Sequence, residues 1–369
     1  MKKLMIGATM ITLLAAGQGL AQEKTSWVDN LTLKGDVRVR YQMNDEEGKD
    51  TRQRERFRGR LTLDGKVSDE VVAGLRLVTN SGDPISDNQT MSNAFDDKET
   101  RFDRVFMTWT PVTDFGITFG KMAQPWISVS DLIFSAEMNP EGAAVNYRLK
   151  GEGADLILNS GAFLAEERST AEETSLYSGQ AAARIKTGEK TYVLVGASIY
   201  AYTGVEGFGL LYNPANPFGN STRTVTTAVD GVATETLVYA TEYTSLEGFV
   251  EAGFDVGMPL TFGAQYVVNT EAEEDDTGYL GVVTLGKASD ANTWECGYQY
   301  RYLEKDAVLG AFAEGTDFGS GTDVKGHIPY IKYGITKNFD AKVQYAMGQK
   351  GLTDGKDVDT FKIDLTAKF

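Results

Sequence analysis

The stretch Thr51–Gly65, TRQRERFRGRLTLDG, places basic and apolar side chains at alternating positions. Because successive side chains of a β-strand point to opposite faces, this pattern predicts a strand with one cationic face and one apolar face. Buried charges without partners are costly, so four arginines on one face do not suit a protein core. Such a strand fits a half-buried soluble sheet or a wall between water and lipid. The cationic face carries Arg54, Arg56, Arg58 and Arg60, and the apolar face carries Phe57, Gly59, Leu61 and Leu63.

The first residues have the three parts of a secretory signal peptide. Lys2 and Lys3 form a basic start, an apolar run extends to Ala16, and Ala21 ends a small-residue cleavage site. After this segment, no apolar run reaches the roughly 18 residues that a membrane-spanning helix needs. We therefore expect a signal peptide over 1–21 and a single exported domain over 22–369.

The composition limits the chemistry that the chain can perform. It has 40 Gly, 17 Tyr and 18 Phe, but one Cys, Cys296, and one His, His327. One cysteine excludes an internal disulfide, and one histidine leaves few options for a metal or an acid–base site. The net charge of −16 argues against nucleic acid as a partner. We expect no cofactor, no metal site and no catalytic residues.

Period-two alternation continues along the chain and predicts sixteen strands without a convincing helix. Short turns alternate with longer polar connections between these strands. The predicted strands are Leu31–Met43, Thr51–Gly65, Val71–Asn80, Arg101–Thr110, Phe115–Met122, Gly142–Lys150, Ala154–Phe163, Leu176–Lys186, Thr191–Thr203, Leu237–Val256, Leu260–Asn269, Gly278–Lys287, Thr293–Leu303, Ile328–Ile335, Ala341–Gly348 and Asp357–Phe369.

This arrangement predicts an all-β fold, a transmembrane antiparallel β-barrel of 16 strands. The apolar faces extend over about ten residues, which is the length that a tilted strand needs to cross a bilayer. In lipid, every backbone polar group must be paired internally, so the sheet has to close. An even number of strands returns both termini to one side. A 16-stranded barrel is too wide for side chains to fill, so we expect a water-filled lumen.

The end of the chain agrees with this prediction. Phe361, Ile363, Leu365, Ala367 and Phe369 share one face of the last strand, and the sequence stops at the phenylalanine. This strand resembles the terminal aromatic strand of bacterial outer-membrane proteins. The resemblance implies that it is the assembly signal.

The connection Met122–Glu141 is the least loop-like of the long ones, since it contains Trp126, Ile133 and Phe134, which need a surface to cover. Its motifs resemble the bacterial "putative porin" family, which is similar to general porins: Gly120-Lys121-Met122, Pro125-Trp126, Asp131-Leu132 and Asn139-Pro140-Glu141-Gly142.

The resemblance implies a passive diffusion channel in the outer membrane of a Gram-negative-type bacterium. It further implies a homotrimer, with outer-membrane lipid, lipopolysaccharide and small hydrophilic solutes as partners. In general porins the third extracellular loop folds into the lumen, and this connection is the third in order. The resemblance implies no particular solute.

We therefore predict a constriction with opposed charges, whose transverse field disfavours apolar solutes. The alternative is that the arginines pair with lumen acids such as Asp36 and Asp64 and only stiffen the wall. The predicted pore-lining arginines are Arg38, Arg40, Arg54, Arg56, Arg58, Arg60, Arg76 and Arg104, and the predicted constriction-loop residues are Lys121, Asp131, Glu137 and Glu141.

Three other readings stay open. The arginines could instead serve a channel selective for phosphate or another anion. An outer-membrane enzyme would have to use His327, which has no serine or aspartate at an informative spacing. The acidic run at 271–276 could bind divalent cations that bridge lipopolysaccharide, although such runs are usually solvated loop tips.

Overall fold

The computed structural model describes residues 27–92, 94–229 and 232–369, so the predicted signal peptide lies outside the described residues. Antiparallel strands dominate this part of the chain. They are β1 (Leu31–Glu46), β2 (Arg52–Lys66), β3 (Val71–Thr79), β4 (Gln89–Thr90), β5 (Thr100–Val112), β6 (Phe115–Lys121), β7 (Glu141–Lys150), β8 (Ala154–Glu166), β9 (Thr174–Lys186), β10 (Tyr192–Thr203), β11 (Thr222–Val229), β12 (Val232–Tyr239), β13 (Thr244–Asp255), β14 (Pro259–Asn269), β15 (Thr277–Gly286), β16 (Thr293–Leu303), β17 (Val324–Thr336), β18 (Phe339–Lys350) and β19 (Lys356–Lys368).

Sixteen of these strands form a closed barrel, which confirms the predicted fold class. Each wall strand pairs with its neighbours in sequence, and β1 pairs with β19 to close the sheet. Closure continues to the last residue, because the amides and carbonyls of Gly35 and Phe369 exchange hydrogen bonds of 2.9 and 3.0 Å. The other three strands are the two-residue β4, which pairs with β2, and the separate hairpin β11–β12.

Burial along the wall is the reverse of that in a soluble protein. On β19, Thr360 and Lys362 are buried, whereas Ile363 and Leu365 on the opposite face are exposed. A membrane barrel requires this pattern, since its outer face meets lipid and its inner face is polar.

The connections sort by parity as predicted. The turns 67–70, 113–114, 151–153, 187–191, 256–258, 287–292 and 337–338 lie at one end of the barrel, and the longer connections, such as 80–99, 122–140, 204–243 and 304–323, lie at the other. The predicted strand Leu237–Val256 is wrong at its start. Its first residues belong to the loop hairpin β11–β12, and the wall strand β13 begins only at Thr244. Alternation cannot separate a wall strand from a hairpin strand within a loop.

Several connections pack against the wall through buried apolar side chains. Apolar residues of the connections 122–140, 204–243 and 304–323 form one buried cluster with residues of the wall. Trp126, for example, packs edge-to-face on Phe163 and Tyr200, with ring centroids 5.9 and 5.3 Å apart. The apolar residues in 122–140 thus pack against residues of the wall.

Helix is confined to two short 3-10 turns in the described residues, Trp27–Asn30 and Gly310–Phe312. Neither these turns nor any other described segment forms a helix that is long and apolar enough to cross a membrane.

Candidate functional site

The cationic residues of β1 and β2 lie side by side on the inner face. Arg38 is opposite Arg58 in the strand register, and Arg40 is opposite Arg56. All four side chains are buried or nearly so. Because the four residues alternate with apolar ones along β1 and β2, they share the inner face, as predicted, and form one cationic wall there.

Several of these arginines are held by carboxylates of the wall. Arg40 forms a bidentate pair with Asp364 on β19, with distances of 2.6 and 2.7 Å. Asp36 receives 2.6 Å hydrogen bonds from both Arg58 and Arg60. Asp36 is one of the two acids that the sequence offered as partners. The other acid is Asp64, whose Oδ2 lies 3.9 Å from the Nζ of Lys34.

A β-bulge sets which side chains of β5 face inward. The register between β3 and β5 shifts at Arg76/Leu77, and Asp103 and Arg104 then both find inner partners. Asp103 accepts from the guanidinium of Arg76, while the Nε of Arg104 donates to Asn139 at 2.7 Å. Bulges add one residue to a strand and so re-aim its side chains.

Among the described residues, two further arginines have only neutral hydrogen-bond partners. Arg54 donates to the Oδ1 of Asn44 at 2.8 Å. Arg56 donates to the Oε1 of Gln42 at 3.2 Å, and to Ser86 and the backbone oxygen of Asn88. These two guanidinium groups are therefore not paired with a carboxylate at hydrogen-bond distance.

Glu137 lies directly against the arginine wall. Its Oε1 is 2.7 Å from the Nη1 of Arg58 and 3.6 Å from Arg38, and its Oε2 accepts the amide of Asp87 at 2.9 Å. Burial alone would raise the pKa of Glu137, but Arg38 and Arg58 hold it below its usual value. Glu137 thus contacts the arginines directly. The sequence had predicted instead that it would face them across an open gap.

Asp131 has a different partner. It accepts a 2.6 Å hydrogen bond from Arg301 on β16, a residue with no exposed side-chain surface. Nearby, the amides of Ile127 and Ser130 donate to Gln180 on β9 and Gln265 on β14. The segment 122–140 therefore contacts strands from several sides of the barrel.

The sequence predicted Lys121 and Glu141 as constriction-loop residues, but both lie in wall strands. They are the last residue of β6 and the first of β7, and their side chains form a cross-strand ion pair of 2.5 Å. The strand β7 begins one residue earlier than alternation indicated, because this pair continues the register of β6 and β7.

Asp87, in the connection 80–99, is the residue whose backbone amide donates to Glu137. It is almost completely buried, and its Oδ2 lies 3.9 Å from Arg60. Burial, with the nearby charge of Glu137 as a second cause, raises the pKa of Asp87 to about 7. This carboxyl group therefore changes charge near neutral pH.

Sequence reasoning missed several partners of the predicted residues. Arg301 and Asp364 lie on inner faces of β16 and β19, so the two-residue period could have identified them. Asn88 and Asn139 lie in connections and follow no period. Nothing in the local sequence signals their contacts with Arg38 and Arg104.

The residues of the alternative readings are also placed. The Nδ1 of His327 on β17 lies 2.6 Å from the hydroxyl of Tyr298, at an exposed position. In the part of the chain that the structure describes, no group of three or more acidic, cysteine or histidine side chains could hold a metal ion. The acidic run at 271–276 therefore does not form such a group.

A closed barrel with an apolar outer face and a charged inner face defines a transmembrane channel of the porin class. The chain belongs to the "putative porin" family, whose model matches residues 43–230 and 211–369. Family and fold together support a channel in the bacterial outer membrane.

Solved porin structures share the fold at low sequence identity. Pseudomonas putida OprB matches with a TM-score of 0.58 and 10% identity, covering 99% of this chain and 97% of its own. Salmonella typhi OmpF in complex with daunomycin matches with 0.56 and 11%, covering 92% and 97%. The trimer form of Vibrio cholerae OmpT matches with 0.51 and 12%, covering 92% and 100%. A comparison with curated protein sequences finds no match.

Proposed function

We propose that the protein is a porin for the passive diffusion of small hydrophilic solutes and ions, and that the segment 122–140 is its constriction loop. In this proposal the loop lies across the lumen and the pore narrows beside the arginines of β1 and β2. The proposal rests chiefly on the two acidic anchors of the loop, Glu137 on Arg58 and Asp131 on Arg301. The two anchoring strands, β2 and β16, are far apart around the barrel.

The charge balance at the neck favours anions over cations. Both loop carboxylates are engaged by arginines, whereas Arg54, Arg56 and Arg104 hydrogen-bond to neutral oxygens. A low-dielectric wall focuses the field of such uncompensated charge and raises the local concentration of counter-ions. This surplus supports the second candidate, an anion-selective channel, within the same pore.

We further propose the outer membrane of a Gram-negative-type bacterium as the location, with lipid and lipopolysaccharide around the barrel. A homotrimer is the assembly we expect, because OmpT of Vibrio cholerae, with the same fold, has a trimer form. The mature protein in this proposal is the single domain 22–369, after removal of residues 1–21.

Planar-bilayer conductance in a potassium chloride gradient tests the channel and its ion preference together. A linear current–voltage relation with a reversal potential of the sign for chloride is the expected result. Conductance that saturates with one solute would indicate a specific binding channel. The absence of conductance from folded protein would reject the porin assignment.

A further inference from the structure

The connection 304–323, between β16 and β17, is buried along most of its length. Connecting segments usually run over the surface of a protein, where water satisfies their backbone groups. Within this fully described segment, Gly319 is the only exposed residue, and Ala307, Leu309 and Phe318 have almost no accessible surface. Its side chains therefore have partners elsewhere in the barrel.

A pair of glycines on the inner face of the wall receives the ring of Phe318. Gly326 on β17 and Gly348 on β18 are directly opposite each other in the strand register. A Cβ at Gly326 would lie 2.6 Å from the ring of Phe318, and a Cβ at Gly348 would lie 2.5 Å from it. Glycine within a strand weakens the strand, and it often marks a place where another group approaches closely. The two glycines thus form a slot in the wall that the ring of Phe318 fills.

The neighbouring Asp317 adds a buried ion pair at the same place. Its Oδ1 lies 2.6 Å from the Nζ of Lys362 on β19 and accepts a 2.7 Å hydrogen bond from Gln344 on β18. The side chains of Asp317 and Lys362 are 7% and 5% exposed. A buried ion pair is costly to break, because the remaining charge has no partner. Phe318 and Asp317 together hold the segment against three neighbouring strands.

The same segment is joined to the proposed constriction loop. The amide of Ser135 donates to the carbonyl oxygen of Phe312 at 2.8 Å, and the hydroxyl of Ser135 donates to the Oε2 of Glu314 at 3.0 Å. Arg301 on β16 holds both segments, because it donates to the carbonyl oxygen of Glu314 at 2.9 Å and to the Oδ1 of Asp131 at 2.6 Å. The two segments therefore form one connected structure on the wall.

The anchor of the segment lies beside the arginine wall. Lys362, the partner of Asp317, is opposite Gln42 of β1 in the strand register. Gln42 in turn accepts a hydrogen bond from Arg56. The segment 304–323 is therefore held next to the proposed neck of the channel.

We propose that the segment 304–323 is a second constriction element, which narrows the channel from the side of β17–β19 and so limits the size of the solutes that pass. This inference rests on the proposed porin function. Phe318 and Asp317 are positioning residues, since they hold the segment on the wall and do not themselves touch a solute. Release of the segment from the wall would leave a wider path.

Liposome swelling with arabinose, a pentose, and raffinose, a trisaccharide, measures the size limit of the purified full chain. Unitary conductance in planar bilayers gives a second readout. Phe318→Ala empties the slot, so the raffinose-to-arabinose rate ratio and the unitary conductance should both rise above the wild-type values. Phe318→Leu keeps an apolar side chain in the slot and should stay close to wild type. A merely structural role of Phe318 would lower stability and leave the ratio unchanged.

Asp317→Asn tests the same anchor without a loss of volume. The amide oxygen can still accept the hydrogen bond from Gln344, but the ion pair with Lys362 is lost, so both readouts should again rise. The matched controls are Phe262→Ala, at an exposed position on the outer face, and Asp354→Asn, at an exposed loop position. Neither control should change the ratio.

The outcomes separate this inference from the porin assignment. Heat-modifiable migration on SDS gels shows whether each variant has formed its barrel, and Asp317→Asn decides the matter if Phe318→Ala does not fold. Wild-type protein without conductance would reject the porin assignment itself. A conducting wild type, with ratio and conductance unchanged in the folded Phe318→Ala and Asp317→Asn variants, would overturn only the inference about the segment 304–323.

Discussion

The carboxylate of Glu137 lies 2.7 Å from the guanidinium of Arg58, which joins the segment 122–140 to the inner wall at β2. Arg58 is 8% exposed and also holds Asp36, so this guanidinium binds both the wall and the loop. Buried ion pairs of this kind contribute little net stability when intact, but the loss of one partner is costly. The contact is therefore a sensitive point for the position of the loop.

Arg58→Gln should release the loop from the wall. It leaves the buried Glu137 with the more distant Arg38 as its cationic partner among the described residues. Breaking a buried ion pair of this kind costs about 3 to 5 kcal/mol of stability. We expect larger current fluctuations and a changed unitary conductance in single-channel recordings. The double variant Arg58→Gln/Glu137→Gln should recover quiet openings, because it removes the unpaired charge. Arg101→Gln, from an exposed pair with Glu99, is the control. Equal noise in the single and double variants would contradict this role.

Arg56→Gln should change ion selectivity and leave the loop in place. Arg56 has neutral hydrogen-bond partners and does not hold the segment 122–140. Its removal lowers the positive surplus, so the chloride-to-potassium permeability ratio should fall. The measurement is the reversal potential in a salt gradient, and Arg101→Gln should leave it unchanged. A wild-type reversal potential in the Arg56 variant would remove this residue from the pore neck.

The wall could be predicted from the sequence and the loop contacts could not. Alternation fixes the inner face of each strand, so the grouping of Arg38, Arg40, Arg56 and Arg58 follows once β1 and β2 pair. The bulge at Asp103, opposite the step from Arg76 to Leu77, breaks that period by one residue, so strict alternation along β5 would put Phe102 and Arg104 on one face. The partners of a loop residue depend on where the closed barrel brings distant strands, which no local pattern contains.

The same limit applies to the predicted constriction. The sequence predicted that Glu137 faces the arginines across a gap, whereas in the structure it contacts Arg58 directly. An acidic side chain within reach of a cationic wall lowers its energy by direct pairing, since each buried charge otherwise remains uncompensated. Because Glu137 is paired with Arg58, the charge that remains without a paired carboxylate belongs to arginines with neutral partners, such as Arg54 and Arg56.

Anion preference should weaken as the pH rises through 7. The pKa of Asp87 is raised to about 7, so the group is neutral at lower pH and negative at higher pH. Arg60 and Arg76 lower that pKa, while Glu137 and Asp103 raise it further beyond the effect of burial. Because the folded-state pKa is raised, the stability contribution of this group is also highest at low pH and is lost toward pH 7. Reversal potentials at pH 6 and 8 should differ in wild type and coincide in Asp87→Asn.

Trp126→Ala should enlarge the conductance. The indole packs against Phe134, Phe163 and Tyr200, with centroid distances between 4.8 and 5.9 Å. Truncation of a buried tryptophan costs about 3 to 5 kcal/mol, which is enough to loosen the segment 122–140 from β8 and β10. Trp294→Ala, which removes an exposed indole on the outer face, is the control. If both variants conduct like wild type, the tryptophan does not position the loop.

Gly35→Ala should weaken barrel closure. A Cβ at this position would lie 2.4 Å from the ring of Phe369 and 2.7 Å from the carbonyl oxygen of Arg60. The ring can move, but the carbonyl belongs to the β1–β2 ladder, so one of the strands must shift. Overpacking of this kind costs about 1 to 3 kcal/mol, measurable as a lower urea midpoint for unfolding.

Gly281→Ala is the matched control, because a Cβ there would meet nothing within 4 Å. Gly35→Ala/Phe369→Leu separates the two contacts. It should recover only the part of the loss that comes from the ring, since the clash with the carbonyl of Arg60 persists. Full recovery would mean that the whole effect comes from the side chain of Phe369. An unchanged midpoint in Gly35→Ala would contradict the prediction, because it would mean that a Cβ fits between β1 and β19 without a shift of either strand.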